Sequence, residues 1–365
     1  MKALLITTLY SPFQIDIANE FKQEDGVSEY HVAFTVLSSK VRGNHWQVSS
    51  SVDGKYIHSI DSDGDCDHIV QWLKRLIEEI KPTHIILGRW RGCVAIEIAR
   101  YYKDLDVKIG YWTEPPNFLL PNIVQFSLAL YSRYLLRGAD YYFSIGARCE
   151  NIYRDILTKK RHVYQLSYGQ DLSEFFSIDD TLRNKKLTFL FSGQLIKRHN
   201  IHWICDAILK LHLIYPNKFK VIIAAKGPEQ HYIDKMIINE PQLGEVVSYD
   251  REYEHWSDRI RPFMKSDVLI YPTSHSGWGL VIPEAMAAGM AVLSTRKAEA
   301  ANYFLRHDVN GRVIEHTKES LHDGMEYCLL NRDDVGRYAK QARIDAKCGT
   351  ASYVAERLKL LLNKV

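Results

Sequence analysis

Two stretches of this chain carry residue types suited to holding a phosphorylated ligand. The first is Tyr271-Pro-Thr-Ser-His-Ser-Gly-Trp-Gly-Leu-Val-Ile-Pro-Glu284, in which a buried strand ends, a glycine-bearing loop follows, and a helix starts near Leu280 to Pro283. Gly277 and Gly279 let a backbone approach a ligand closely, and the free N–H groups of a new helix suit a diphosphate. Proline in the first turn fits that start. Glu284 then stands in the first turn, where its two acceptor oxygens match the vicinal hydroxyls of a ribose. The same residues also fit a plainer reading, in which the glycines shape a turn and Glu284 complements the helix dipole. The second stretch is Phe191-Ser-Gly-Gln-Leu-Ile-Lys-Arg-His-Asn200, a strand that runs into a basic loop. Arg198 is its best phosphate ligand, because a guanidinium binds phosphate bidentately and is always charged.

Elements must position these loops, and the alternation of the chain supplies them. Apolar runs of strand length alternate with segments of helical period, the pattern of βαβ units in parallel sheets. In the first half, strands are expected at Ala3–Thr7, His31–Leu37, Thr83–Leu87, Lys108–Trp112, Tyr141–Ser144 and Val163–Leu166. The clearest helix runs from Asp67, its expected N-cap, to Ile80, with Ile69, Leu73, Leu76, Ile77 and Ile80 on one face. The second half restarts with strands at Thr188–Ser192, Val221–Ala225, Val246–Tyr249, Val268–Tyr271 and Ala291–Ser294. Between them Gly169 to Lys186 is polar, lacks a clear core-facing stripe, and reads as a linker. The fold class is therefore α/β, with two doubly wound Rossmann-like domains whose strand ends meet a cleft. Expected boundaries are 1–175 for the first domain, 176–345 for the second, and 346–365 for a C-terminal helix packing back on the first.

With 365 residues, 46% hydrophobic and 25% charged, the chain has the composition of a soluble two-domain protein. A net charge of +3 without a basic cluster argues against a nucleic-acid partner. Six cysteines without a C-x-x-C pair suggest neither a zinc site nor a disulfide framework, so a reducing cytoplasm is expected. The opening MKALLITTLYSPF reads as a first buried strand, with no cleavage site of a signal peptide. No segment reaches the roughly 18 apolar residues of a membrane span.

The motifs as they stand resemble glycosyltransferase family 4, the retaining enzymes of the GT-B fold. That family's signature sets two glutamates around a G-F-G-L core followed by E-A-M-A-x-G, and this chain has Gly277-Trp278-Gly279-Leu280 and Glu284-Ala285-Met286-Ala287-Ala288-Gly289. The stretch from Gly193 resembles the family's G-[RQ]-L-x-x-x-K-G loop, with His199 at the lysine position. The resemblance implies a retaining, hexosyltransferase-type enzyme that needs no metal or other cofactor. Its donor would be a UDP- or GDP-sugar, held by Gly193, Gln194, Lys197, Arg198, His199, Ser276, Gly277, Trp278, Gly279, Leu280 and Glu284. Glu284 would take the ribose. Arg198 would stabilise the departing diphosphate as a catalytic group. Ser276 replaces the first glutamate, which contacts the transferred sugar in that family, so the donor-sugar contacts must differ here. Weaker family punctuation lies at Gly138-Ala139-Asp140, at Gly169 with Asp171 and Phe175, and at Asp308 to Gly311.

On the acceptor side, Glu114 in Trp112-Thr-Glu-Pro-Pro-Asn117 follows a buried strand and is the candidate acid or orienting carboxylate, with loop-capping as the equal alternative. His45 is a lesser candidate for the same pocket. The acceptor implied by the resemblance is a glycan or lipid-linked glycan of the bacterial cell envelope. A peripheral membrane contact on the cytoplasmic face is expected through the apolar and basic run 117–137, around Phe118 to Phe126 with Arg133 and Arg137. Asp61-Ser-Asp-Gly-Asp-Cys-Asp67 has D-x-D spacing, but Trp72 stands where a calcium loop needs glutamate, and the acids fit the start of a helix better. Two rival functions remain. One is a non-catalytic nucleotide-sugar-binding subunit, motivated by Ser276 and His199; the other is a GT-B nucleotide-sugar epimerase. A dinucleotide oxidoreductase fails because no G-x-G-x-x-G follows the first strand.

Overall fold

The computed structural model of the protein describes residues 1–21, 28–36, 55–60, 65–89, 92–103, 105–114, 136, 138–156, 162–179, 186–250 and 256–365. His45, Asp61, Asp63, Phe118 to Phe126, Arg133 and Arg137 lie outside them, so the D-x-D run and the proposed membrane segment are largely not described. The chain divides into two units, one of Met1–Asp171 with Gly349–Val365 and one of Leu172–Cys348.

The first unit is built on a seven-stranded sheet in the order β3-β2-β1-β4-β5-β6-β7. Its strands are β1 (Lys2–Leu9), β2 (Glu29–Val36), β3 (Ile57–Ser59), β4 (His84–Leu87), β5 (Lys108–Thr113), β6 (Tyr141–Ser144) and β7 (His162–Gln165), all paired in parallel. All four residues of β4 and of β6 are buried, as expected where helices cover both faces of a parallel sheet. The helix Cys66–Ile80 lays Ile69, Leu73, Leu76, Ile77 and Ile80 into this core. Its N-cap is Asp65 rather than Asp67: the Asp65 side chain accepts the Asp67 N–H at 3.0 Å, which satisfies an otherwise orphaned donor. The C-terminal helix Ala351–Leu362 belongs to this unit and packs against the helix Pro12–Phe21. The Ala351 N–H donates to the Gln170 carbonyl at 3.0 Å, and the Gln170 N–H to that of Gly349 at 3.1 Å.

The second unit holds a six-stranded parallel sheet in the order β10-β9-β8-β11-β12-β13. Its strands are β8 (Leu187–Gln194), β9 (Phe219–Lys226), β10 (Val247–Asp250), β11 (Val268–Tyr271), β12 (Ala291–Thr295) and β13 (Gly311–Ile314). Phe189, Phe191, Phe219, Val221, Val268 and Leu293 form its core.

Four expectations change. Strand β3 has only three residues and no buried ones, so it carries no periodic signal. Strand β13 is buried only at its two end residues and starts at Gly311, in a stretch that reads as a turn. The passage expected as linker contains the helix Ser173–Phe176, and Leu172, Phe175 and Ile178 are buried. Phe175 packs edge-on against Phe263, with ring centroids 5.0 Å apart. Finally, Cys66 and Cys93, which open two neighbouring helices, form a disulfide with Cα atoms 6.2 Å apart. No sequence spacing signalled that pair, because only the packing of the two helices brings their first residues together.

Candidate donor site

In an open parallel sheet, the strand order reverses at a switch point, where two loops diverge and leave a ligand crevice. In the second unit that point lies between β8 and β11, since β9 and β10 extend the sheet on one side and β12 and β13 on the other. Both chemically rich loops leave the sheet there. Arg198 ties them together. Its carbonyl accepts the Ser274 N–H at 2.7 Å and the hydroxyls of Thr273 and Ser274 at 3.1 Å each. Its guanidinium Nη1 donates to the His275 carbonyl at 3.3 Å and stays on the exposed side. Asn200 adds a second tie: it sits at φ 53° and donates its side-chain amide to the Pro272 carbonyl at 2.8 Å. Gly193, Gln194 and Lys197 are exposed beside Arg198.

The glycine loop is built to keep its backbone open. Gly279 lies at φ 106°, a left-handed region that disfavours any other residue, and a Cβ there would meet the Tyr271 ring at 3.4 Å and Ser276 Oγ at 3.5 Å. Among the described residues, the N–H groups of Gly277 and Gly279 donate to no backbone acceptor. Leu280 caps the helix Val281–Ala287 without a side-chain cap, so Glu284 enters in its first turn. Burial pushes the Glu284 carboxyl up to about 7, while the charge of Arg259 pulls the other way. A carboxyl so perturbed at a sheet switch point marks a candidate binding group.

Three expected donor contacts sit differently. Trp278 is 3% exposed and packs against Tyr303 and Phe304, with ring centroids 5.6 and 5.9 Å away. Its large apolar ring anchors the loop from inside, and its side chain does not line an open surface. Ser276 is buried as well: its N–H donates to the Lys297 carbonyl at 3.0 Å, and its carbonyl accepts the Glu299 N–H at 3.3 Å. His199 is 4% exposed, and its Nδ1 must carry the proton, because it donates to the Gln194 carbonyl at 2.7 Å. Burial lowers the imidazole pKa to about 4, so His199 brings no standing charge to the lysine position. Asn200 and Thr273 escaped the sequence reading. For Asn200 the available signal was its place at the glycine of the loop motif, a position that calls for left-handed backbone.

In the first unit the switch point falls between β1 and β4. A cavity of about 190 Å³ opens there, lined among others by Thr7, Thr8, Thr35, Arg89, Gly92 and Cys93, none of which the sequence singled out as site residues. Glu114 follows the carboxyl end of β5, and the Tyr168 hydroxyl donates to its Oε1 at 3.5 Å.

Comparison with known proteins shows what the second unit is similar to. Residues 174–345 match the family of glycosyl transferases group 1. The matched stretch spans the six-stranded sheet and both site loops. The lipopolysaccharide core biosynthesis glycosyltransferase LpsE of Rhizobium meliloti (strain 1021) is 28% identical over 124 residues. That match covers 34% of this chain and about a third (33%) of LpsE's own length. Solved structures resemble the whole chain in fold. Sucrose-phosphate synthase of Thermosynechococcus elongatus superposes with a TM-score of 0.75 at 13% identity, covering 100% of this chain and 98% of that one. HepE of Anabaena, in complex with UDP, does so with a TM-score of 0.72 at 14% identity, covering 100% of both. The fold is GT-B, with two Rossmann-like parallel sheets.

Proposed function

We propose that this protein is a metal-independent, retaining glycosyltransferase of family 4 that moves a sugar from a nucleotide-diphosphate donor to a glycan or lipid-linked glycan in cell-surface polysaccharide biosynthesis. The observation that carries the reading is the junction of the two site loops through Arg198, with Glu284 on the helix that follows. The diphosphate would take its hydrogen bonds from Arg198, Lys197 and the open Gly277 and Gly279 amides. Glu284 would accept from the ribose hydroxyls. As the glycosidic phosphate bond breaks, negative charge grows on the diphosphate, and the fixed guanidinium stabilises it without a metal. Glu114, on the first unit, is the acceptor-orienting carboxylate of this proposal. UDP bound to HepE and the lipopolysaccharide-core role of LpsE support a UDP-sugar donor and an envelope acceptor. We place the reaction on the cytoplasmic face of the membrane.

Ser276 and the neutral, buried His199 favour one competing reading, a nucleotide-sugar-binding subunit without turnover. The deciding experiment is a thermal-shift screen against UDP-, GDP-, ADP- and TDP-sugars, followed by NMR detection of transfer or donor hydrolysis with the best ligand. Stabilisation with turnover and an unchanged anomeric configuration supports the enzyme. Stabilisation without any turnover sinks it in favour of the binding subunit.

A further inference from the structure

The disulfide between Cys66 and Cys93 joins two unlike helix starts. Cys66 is half-buried and packs against the core of the first unit, with Asp65 before it as helix cap and Asp67 after it in the first turn. Cys93 is exposed and lines the cavity of about 190 Å³ at the switch point, together with Arg89, Gly92, Val94 and Ala95. Its helix, Cys93–Tyr102, begins with no side-chain cap and no acid in the first turn. Among the described residues, the N–H groups of Cys93, Val94 and Ala95 meet no acceptor, and the Arg89 guanidinium is tethered at the cavity by its bond to Thr8 Oγ1 at 3.2 Å. Free helix N–H groups and a neighbouring cation favour a thiolate, whereas flanking carboxylates disfavour one. Cys93 is therefore the accessible sulfur with the surroundings of a nucleophile, and Cys66 is its partner anchored in the core. The other four cysteines are unpaired; Cys149, Cys205 and Cys328 are buried and Cys348 is partly so, which leaves Cys93 the best placed for exchange with solvent thiols.

We propose that Cys93 and Cys66 form a reversible thiol–disulfide switch that sets the rigidity of the first unit's cavity, with Cys93 as the reactive thiol and Cys66 as the resolving one. In the reduced chain the Cys93 thiolate attacks a small-molecule disulfide such as oxidised glutathione, which forms a mixed disulfide and releases one glutathione thiolate. Cys66, having given its proton to solvent, then attacks Cys93 Sγ and expels the second glutathione thiolate. Both thiolates take up protons, so the chain loses two electrons and two protons and the glutathione disulfide gains them. Two molecules of reduced glutathione reverse the steps. Closed, the bridge clamps together the two helix starts that give Ile69, Cys93, Val94 and Ala95 to the cavity wall. Open, each start is held by its own packing alone. The switch lies in the first unit and needs neither donor nor turnover.

The test is a redox titration of the full chain in mixtures of reduced and oxidised glutathione, quenched with acid, alkylated and read by peptide mass spectrometry. Wild type should pass from bridged to alkylated at both Cys66 and Cys93 as reduced glutathione is raised, and return when the oxidised form is restored. A bridge that survives excess reduced glutathione in the native chain is a fixed cross-link and overturns the proposal, as do thiols that stay free in excess oxidised glutathione. Cys66→Ser cannot resolve and should hold glutathione on Cys93, whereas Cys93→Ser should hold several-fold less on Cys66. Equal capture by the two variants overturns the role given to Cys93. Hydrogen exchange reads the cavity: amides in the first two turns of both helices should exchange several-fold faster in reduced than in oxidised wild type, with no such difference in Cys93→Ser. Equal protection in both redox states of wild type sinks the clamp. If a serine variant does not fold, the wild-type titration and exchange still decide the matter. None of these outcomes touches the donor reading, which the nucleotide-sugar screen tests separately.

Discussion

At Glu284, stability and the proposed binding role pull in opposite directions. Its carboxyl is raised from the ordinary 4.5 to about 7 in the folded chain. Between those two values the unfolded chain has released a proton that the folded chain still holds, so folding stability falls as pH rises through this window. Glu284→Gln removes the penalty. The variant should match wild type near pH 4 and be more stable at pH 8, by on the order of 3 kcal/mol at most. On the proposed donor reading, the same change weakens the acceptor offered to a ribose, which should cost about 1.5 to 3 kcal/mol, or roughly tenfold to a hundredfold in donor affinity. Urea unfolding at the two pH values and calorimetry with UDP-glucose check both halves. A variant that is no more stable at pH 8, or binds as tightly as wild type, refutes the assignment. Gly279→Ala makes a complementary test of the loop. The alanine has room but is strained at φ 106°, so donor affinity should drop while the far-ultraviolet circular dichroism spectrum is kept.

At the scale of elements, Gly110 shows how tightly two neighbouring strands depend on one residue type. It pairs with Tyr141 across β5 and β6, and a Cβ at Gly110 would lie 2.0 Å from the Tyr141 ring. Tyr141 is fully buried and cannot swing aside into solvent. Gly110→Ala should therefore destabilise the first unit by about 1 to 3 kcal/mol, the ordinary penalty of overpacking. An unchanged melting temperature would count against this packing. The elements also show what was readable in the sequence. Strands such as Tyr141–Ser144 and Val268–Tyr271 were placed to the residue, because buried parallel strands are continuous apolar runs bounded by turn signals. The helix Ala351–Leu362 was equally clear from its apolar side. Strand β3 was not, since three partly exposed residues gain their order from β2 alone. In the candidate site, Arg198, Gly279 and Glu284 stand out in the sequence by residue type and spacing, and the structure ties Arg198 to the loop that holds Gly279. Burial was not legible. Trp278 and His199 have groups that could face a ligand, and only the packing of Tyr303, Phe304, Phe191 and Tyr271 around them shows that they turn inward.

For the molecule as a whole, the proposed reaction requires that something neutralise the diphosphate of a nucleotide-sugar donor. Metal-dependent sugar transfer needs acidic side chains gathered on one point to hold the ion. Among the described residues, no group of three or more His, Cys, Asp or Glu side chains is arranged to do so. In the acidic run before the first unit's long helix, the described Asp65 is occupied as a helix cap. The second unit instead gathers Lys197, Arg198 and two open glycine amides at its switch point, which suits an anion directly. If this site carries the diphosphate as proposed, transfer should continue at an unchanged rate after dialysis against EDTA, and Arg198→Ala should slow it far more than chelation does. Asp65→Ala should cost about 1 kcal/mol of stability through the lost cap and leave turnover intact. The measurement is sugar transfer followed by NMR in chelator, with manganese or magnesium added back to a second sample. Activity that vanishes in EDTA and returns with either ion would mean that a metal, and not Arg198, carries the charge of the departing diphosphate.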